Sequence, residues 1–145
     1  MRLIIGGSYQ GKLEFATKLF PKLRWIDGAV CPLDAVESCE GIYHFHEYVK
    51  RWIQSGKDNE NIAETMAAQL HERNPDIVIV SDEIGYGLVP VDAFERNYRE
   101  TTGRICTELA GYACEVYRVI CGIGILIKEG RTNEDGTGTG IAGRD

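Results

Sequence analysis

Leu3-Ile4-Ile5-Gly6-Gly7-Ser8-Tyr9-Gln10-Gly11-Lys12 carries a short apolar run straight into a glycine-rich turn that ends in lysine. The residues that follow, Leu13-Glu14-Phe15-Ala16-Thr17-Lys18-Leu19-Phe20, place apolar side chains at helical spacing, so the order is strand, loop, helix. Gly6-x-x-x-x-Gly11-Lys12 is the pattern of a phosphate-binding loop. In such a loop backbone N–H groups and a helix N-terminus surround the anion, and the lysine reaches the outer phosphates. Glycine serves where the loop visits positive φ or lets backbone approach a ligand. Leu13 departs from the pattern: a Ser or Thr hydroxyl there would meet Mg²⁺, and leucine has no atom that can. The competing reading is an ordinary strand-to-helix turn with an incidental lysine.

Working outward, Pro21 ends the first helix and Leu23-Arg24-Trp25-Ile26 reads as a short second strand. Asp27 to Glu40 shows no clear periodicity and reads as a loop. Ile42, Phe45, Val49, Trp52 and Ile53 recur at three and four, which predicts an amphipathic helix from Gly41 to Ser55, ended by Gly56. Asp58 or Asn59 then caps a helix with the stripe Ile62, Met66 and Leu70, stopped at Asn74-Pro75. Asp76-Ile77-Val78-Ile79-Val80-Ser81 is a β-branched run, as in a strand buried on both faces of a parallel sheet. It leads into Asp82-Glu83 and the glycine-bearing loop Ile84 to Pro90. Asp92 opens a long helix to Ala113 with Phe94, Tyr98, Ile105, Leu109 and Tyr112 inward. Glu115 to Cys121 is a strand, Gly122-Ile123-Gly124 a turn, and Ile125 to Lys128 a last strand. Alternating strands and helices predict a three-layer α/β fold with a mostly parallel central sheet. With its first loop, this is a P-loop nucleotide-binding fold over residues 1–129, and residues 130–145, with no apolar stripe, read as a disordered tail.

The chain has 145 residues, enough for one domain with a real core. Its formal charge of −6 argues against a general nucleic-acid or membrane-surface binder, since those need basic faces. No apolar stretch reaches membrane-spanning length and the first residues lack a signal-peptide layout, so the expected location is cytoplasmic. Cys31, Cys39, Cys106, Cys114 and Cys121 form no C-x-x-C pair and leave one unpaired, which favours reduced thiols over a disulfide framework or zinc site.

Acidic residues at the carboxyl end of a parallel strand lie on the rim where such sheets bind ligands. Asp82 and Glu83 are therefore candidates to hold Mg²⁺ or to orient a nucleophile, although neighbours in extended backbone point opposite ways. His44 and His46, two apart on the predicted helix, would not share a face. One of them could act as a covalent nucleophile, and Lys50 or Arg51 could neutralise phosphate. His71 reads as a surface residue, while Arg96, Arg99 and Arg104 are further phosphate candidates that could equally pair with acids. Tyr9 and Gln10, inside the loop, are candidates to touch base or ribose.

Val80-Ser81-Asp82-Glu83-Ile84-Gly85-Tyr86-Gly87-Leu88-Val89-Pro90 continues through Phe94-Glu95-Arg96-Asn97-Tyr98-Arg99-Glu100 to Gly103-Arg104-Ile105, and the segment closes with Glu115 to Lys128. Together with the N-terminal loop, these stretches closely resemble the bifunctional adenosylcobinamide kinase/adenosylcobinamide-phosphate guanylyltransferase family of cobalamin biosynthesis. The resemblance implies that Gly6, Gly7, Ser8, Gly11 and Lys12 hold the phosphates of ATP or GTP, with Tyr9, Gln10 and Leu13 in the same loop. It favours Glu83 over Asp82 as the working carboxylate beside Mg²⁺. It further implies a corrinoid substrate, a guanylylated histidine, and a homo-oligomer, a trimer in that family.

Two departures stand out. Leu13 replaces the Ser or Thr after the loop lysine, and the middle region is compressed. His46-x-x-x-Lys50 with Trp52 only approximates the family's H-x-x-x-R and tryptophan, so His46 is the expected nucleophile on an approximate match. A kinase-only, a transferase-only and a catalytically degenerate nucleotide- or corrinoid-binding member all remain open.

Overall fold

The structure is a computed structural model that describes residues 1–57, 60–84 and 92–130. Six strands form one sheet: β1 (Arg2–Gly6), β2 (Trp25–Asp27), β3 (Gly41–Tyr43), β4 (Val78–Asp82), β5 (Glu115–Ile120) and β6 (Ile123–Glu129). Their spatial order is β2-β3-β4-β1-β5-β6, all parallel except β6, which runs antiparallel to β5. The helices are α1 (Lys12–Leu19), α2 (Phe45–Trp52), α3 (Ile62–Arg73) and α4 (Ala93–Tyr112), with a 3₁₀ turn at Leu33–Glu37. This is the expected three-layer α/β arrangement.

Alternation along the central strands divides the core. Leu3, Ile42, Ile79 and Val116 face one side, with Phe45 and Val49 of α2, Met66 and Leu70 of α3, and Ile105 and Leu109 of α4. Ile4, Val78, Val80 and Val119 face the other, with Ala16 and Phe15 of α1. β1 and β4 are buried on both faces, which explains their unbroken apolar character. Among the described residues no helix is long and apolar enough to cross a membrane.

Several sequence expectations change, among them Phe94 and Tyr112, expected inward on α4 but exposed. The helix predicted from Gly41 is a strand, β3, followed by His44 at φ 55° and then α2. Ile42, Phe45 and Val49 enter one cluster from two different elements, so their spacing mimicked a continuous helix. The loop predicted from Asp27 to Glu40 holds the 3₁₀ turn. The last hairpin turns at Cys121-Gly122, with φ 52° and 78°, rather than at Gly122 to Gly124. Two successive positive φ values match the twist of a tight antiparallel pair. The cap expected at Asp58 or Asn59, the loop 85–91 and the tail 131–145 lie outside the described residues.

Candidate functional site

The carboxyl ends of β1, β3 and β4 share one rim, and a cleft of about 340 Å³ opens there. Ser8, Tyr9, Gln10, Gly11, Lys12 and Leu13 form one wall, with Tyr43, His44, His46 and Asp82 across from them. The loop is stiffened at its far end. Gln10 accepts the Cys121 N–H on Oε1 at 2.6 Å, and its carbonyl accepts the Gly122 N–H at 2.7 Å. Gln10 thereby ties the loop to the β5–β6 turn through its Oε1 and its carbonyl. Gly11 sits at φ 83°, a conformation that favours glycine, and from it α1 starts directly at Lys12. Tyr9, at φ 61°, is fully exposed.

Lys12 is the centre of the charge arrangement. Only 8% exposed, its ammonium donates to the Gly7 carbonyl at 2.7 Å and lies 2.6 Å from Asp82 Oδ1. Ser8 Oγ donates to Asp82 Oδ2 at 2.9 Å. Burial pushes the Asp82 carboxyl up, but Lys12, His46 and Ser8 together hold it below its ordinary value. It is therefore ionised at neutral pH and faces the glycine loop. Glu83 does not: its Oε1 accepts from Arg118 Nε at 2.9 Å, beside a second depression lined by Leu3, Ile5, Thr102 and Cys106. Sequence preferred Glu83; the strand phase brings Asp82 to the loop.

His44 and His46 do share the cleft, because His44 precedes α2 instead of lying within it. Their rings sit 5.9 Å apart, nearly perpendicular. His46 is buried, its Nδ1 accepts the Asp82 N–H at 3.1 Å, and its Nε2 is 3.4 Å from Asp82 Oδ2. Burial pushes its imidazole pKa down, against the opposing pull of Asp82 and Glu47. His44 is about half exposed and its Nδ1 lies 2.8 Å from Asp27 Oδ1. Asp27, at the end of β2, escaped the sequence reading; its only signal was a carboxylate directly after a predicted strand.

The cations expected to meet phosphate are placed elsewhere. Arg51 donates to the carbonyls of Gly28 at 2.8 Å and Cys31 at 2.6 Å, and Lys50 lies over the Tyr98 ring. Arg99 lies 3.6 Å from Glu95, and none of Arg96, Arg99 and Arg104 lines the cleft. His71 is exposed and stacks on Tyr112.

A magnesium ion carried by a nucleotide keeps most of its ligands as phosphate oxygens and water, and needs one or two from protein. Asp82 fits that demand, with the Ser8 hydroxyl beside it; Leu13 and Glu83 do not. Among the described residues no cluster of three or more His, Cys, Asp or Glu forms a self-sufficient metal cage.

Known proteins share part of this sequence, beyond the glycine loop. Residues 41–127 match the CobU family, described as cobinamide kinase / cobinamide phosphate guanyltransferase. The bifunctional adenosylcobalamin biosynthesis proteins CobU of Escherichia coli K12 and Salmonella typhimurium LT2 are each 42% identical over 52 residues. That alignment covers 36% of this chain and 29% of each relative. Since the family match spans more than half of the chain, the protein belongs to the cobinamide kinase / cobinamide phosphate guanyltransferase family.

Proposed function

We propose that this chain uses ATP or GTP with Mg²⁺ to phosphorylate the aminopropanol hydroxyl of adenosylcobinamide, and/or to transfer GMP from GTP to adenosylcobinamide phosphate. The observation that carries the reading is the buried Lys12 ammonium, held between the Gly7 carbonyl and Asp82 at the mouth of a glycine loop. Phosphoryl transfer asks mostly for positioning and neutralisation of charge, and this cleft offers both. In the reading, the backbone of Gly6, Gly7, Ser8 and Gly11 lies against the phosphates, and Lys12 exchanges Asp82 for the outer phosphate oxygens. Asp82 would hold the magnesium ion, whose charge would offset that of the phosphates. Leu13 contributes apolar surface only.

The phosphorylation half is the better supported. Guanylyl transfer through His46 would need a free imidazole lone pair, and both of its nitrogens face Asp82. A homo-oligomer belongs to the same reading, supported by the exposed apolar residues Ile123, Ile125 and Ile127 on β6.

Incubating the full chain with γ-labelled ATP, Mg²⁺ and adenosylcobinamide tests the proposal, with α-labelled GTP and adenosylcobinamide phosphate as the second arm. Label in the corrinoid product of either arm is the expected result. Nucleotide binding without label transfer in either arm would instead favour a nucleotide- or corrinoid-binding protein without catalysis. Light scattering of wild type against Ile125→Asp checks the oligomer, which should lose mass in the variant.

A further inference from the structure

β2 and β3 end side by side, with Asp27 paired in register to Tyr43, so Asp27 and the next residue, His44, meet at the rim. His44 alone joins β3 to α2, at φ 55° and ψ 42°. A non-glycine residue is strained there, and such strain clusters at functional positions. The turn beneath it is locked. Asp27 Oδ1 accepts the Ala29 N–H at 2.9 Å, its carbonyl accepts from Val30 and Cys31, and Arg51 clamps the Gly28 and Cys31 carbonyls. Burial pushes the Asp27 carboxyl up, but the hydrogen bonds from Ala29 and His44 outweigh it and keep it ionised. An ionised carboxylate only accepts, so the proton between the pair sits on His44 Nδ1. In the neutral tautomer Nε2 then carries the lone pair; it has no partner among the described residues, and the ring lines the same cleft as Lys12.

The other groups that could accept a proton here are taken. Asp82 is held by Lys12 and Ser8, and in the reading above would be taken by the magnesium ion once Lys12 turns to phosphate. His46 accepts on Nδ1, so its Nε2 carries the hydrogen. Glu83 is paired with Arg118, and the exposed Glu14 lies 3.8 Å from Lys18.

We propose that His44, oriented by Asp27, is the base that takes the proton of the acceptor hydroxyl. The inference rests on the phosphoryl-transfer reading above. The acceptor O–H proton moves to His44 Nε2 while the acceptor oxygen bonds to the γ-phosphorus. The bond from that phosphorus to its bridging oxygen breaks, and the nucleoside diphosphate leaves with the electron pair. Asp27 stabilises the imidazolium until water removes the proton. His44 is then a catalytic residue and Asp27 a positioning residue.

The test uses the full chain with ATP, Mg²⁺ and adenosylcobinamide. His44→Asn tolerates the left-handed turn and His44→Gly relieves it, so neither should unfold the protein. Either should lower kcat by about 100-fold, in the range of general-base catalysis, with the ATP Kd from calorimetry unchanged. Imidazole in the buffer should restore part of the turnover to His44→Gly but none to His46→Gln. Asp27→Asn should lower kcat at unchanged KM, and adding it to His44→Gly should cost nothing more, because its effect passes through the missing ring. Normal turnover in His44→Asn, or no rescue by imidazole, overturns the assignment. So does an α-labelled GTP adduct on His44, which would make it a nucleophile. If wild type binds ATP yet phosphorylates no corrinoid, the underlying reading fails and the base falls with it; loss confined to variants other than those of His44 removes the base alone.

Discussion

A methyl group built on Gly28 would lie 2.5 Å from the carbonyl oxygen of His44 and 3.0 Å from that of Tyr43. Neither neighbour is a flexible side-chain end: both are backbone, one at the end of β3 and one in the turn above it. Gly28→Ala must therefore push the Asp27 turn away from His44. We expect about 1–3 kcal/mol of lost stability, typical of overpacking, measured by urea denaturation. Turnover should fall by a larger factor than stability explains, while ATP affinity stays near wild type, since the glycine loop is on the opposite wall.

Lys12→Met keeps the apolar stem and removes the ammonium that bridges Gly7 and Asp82. Loss of a charged hydrogen-bonding group should weaken ATP binding by ~1.5–3 kcal/mol in calorimetry. An unchanged Kd would mean that the loop does not hold phosphate.

Two groups give stability a stepped acid dependence. Burial above all lowers the His46 pKa from 6.5, so the folded protein keeps the ring neutral at a pH where the unfolded chain is protonated. Its contribution is full above 6.5 and is lost as pH falls through the lower folded value. Asp82 is also depressed, by Lys12, His46 and Ser8 against the effect of burial. Its contribution is full above 3.8 and fades as pH falls through its own folded value. Urea denaturation across pH should show both descents. His46→Gln should remove the first and shrink the second, because His46 also helps hold the Asp82 carboxyl down, whereas Asp82→Asn should remove the second and deepen the first, because Asp82 opposes the lowering of the His46 pKa.

Leu13→Ser returns a hydroxyl to the position after the loop lysine. We expect ATP binding to tighten by about 1 kcal/mol, one hydrogen bond's worth, with Mg²⁺ present and to stay unchanged with EDTA. Equal gains under both conditions would show that the hydroxyl does not work through the metal.

The first loop and the central strands were legible because each element announces itself locally. Gly6 to Lys12 is a motif, and Ile77 to Val80 is too β-branched and too apolar for an exposed element. β3 was hidden because it has three residues, and Ile42 stands at helical spacing from Phe45 across a junction whose decisive feature is one positive φ. That φ also turned His44 and His46 into neighbours. Asp82 against Glu83 was a question of strand phase, which rests on the register of β4 with β1, where Gly6 pairs with Asp82. Asp27 became visible only once β2 and β3 lay side by side, because 17 positions separate it from the histidine it holds.

β1 is hydrogen-bonded on one side to β4 and on the other to β5, more than a hundred positions further along the chain. During synthesis the glycine loop therefore leaves the ribosome long before either flank of its strand exists. Pairings so distant in sequence make folding slow, since loop-closure entropy is paid before the contacts repay it. β1 is made before both strands that flank it and becomes native only after them, so a nascent chain arrested before β5 should remain open to protease at Leu3 to Ile5.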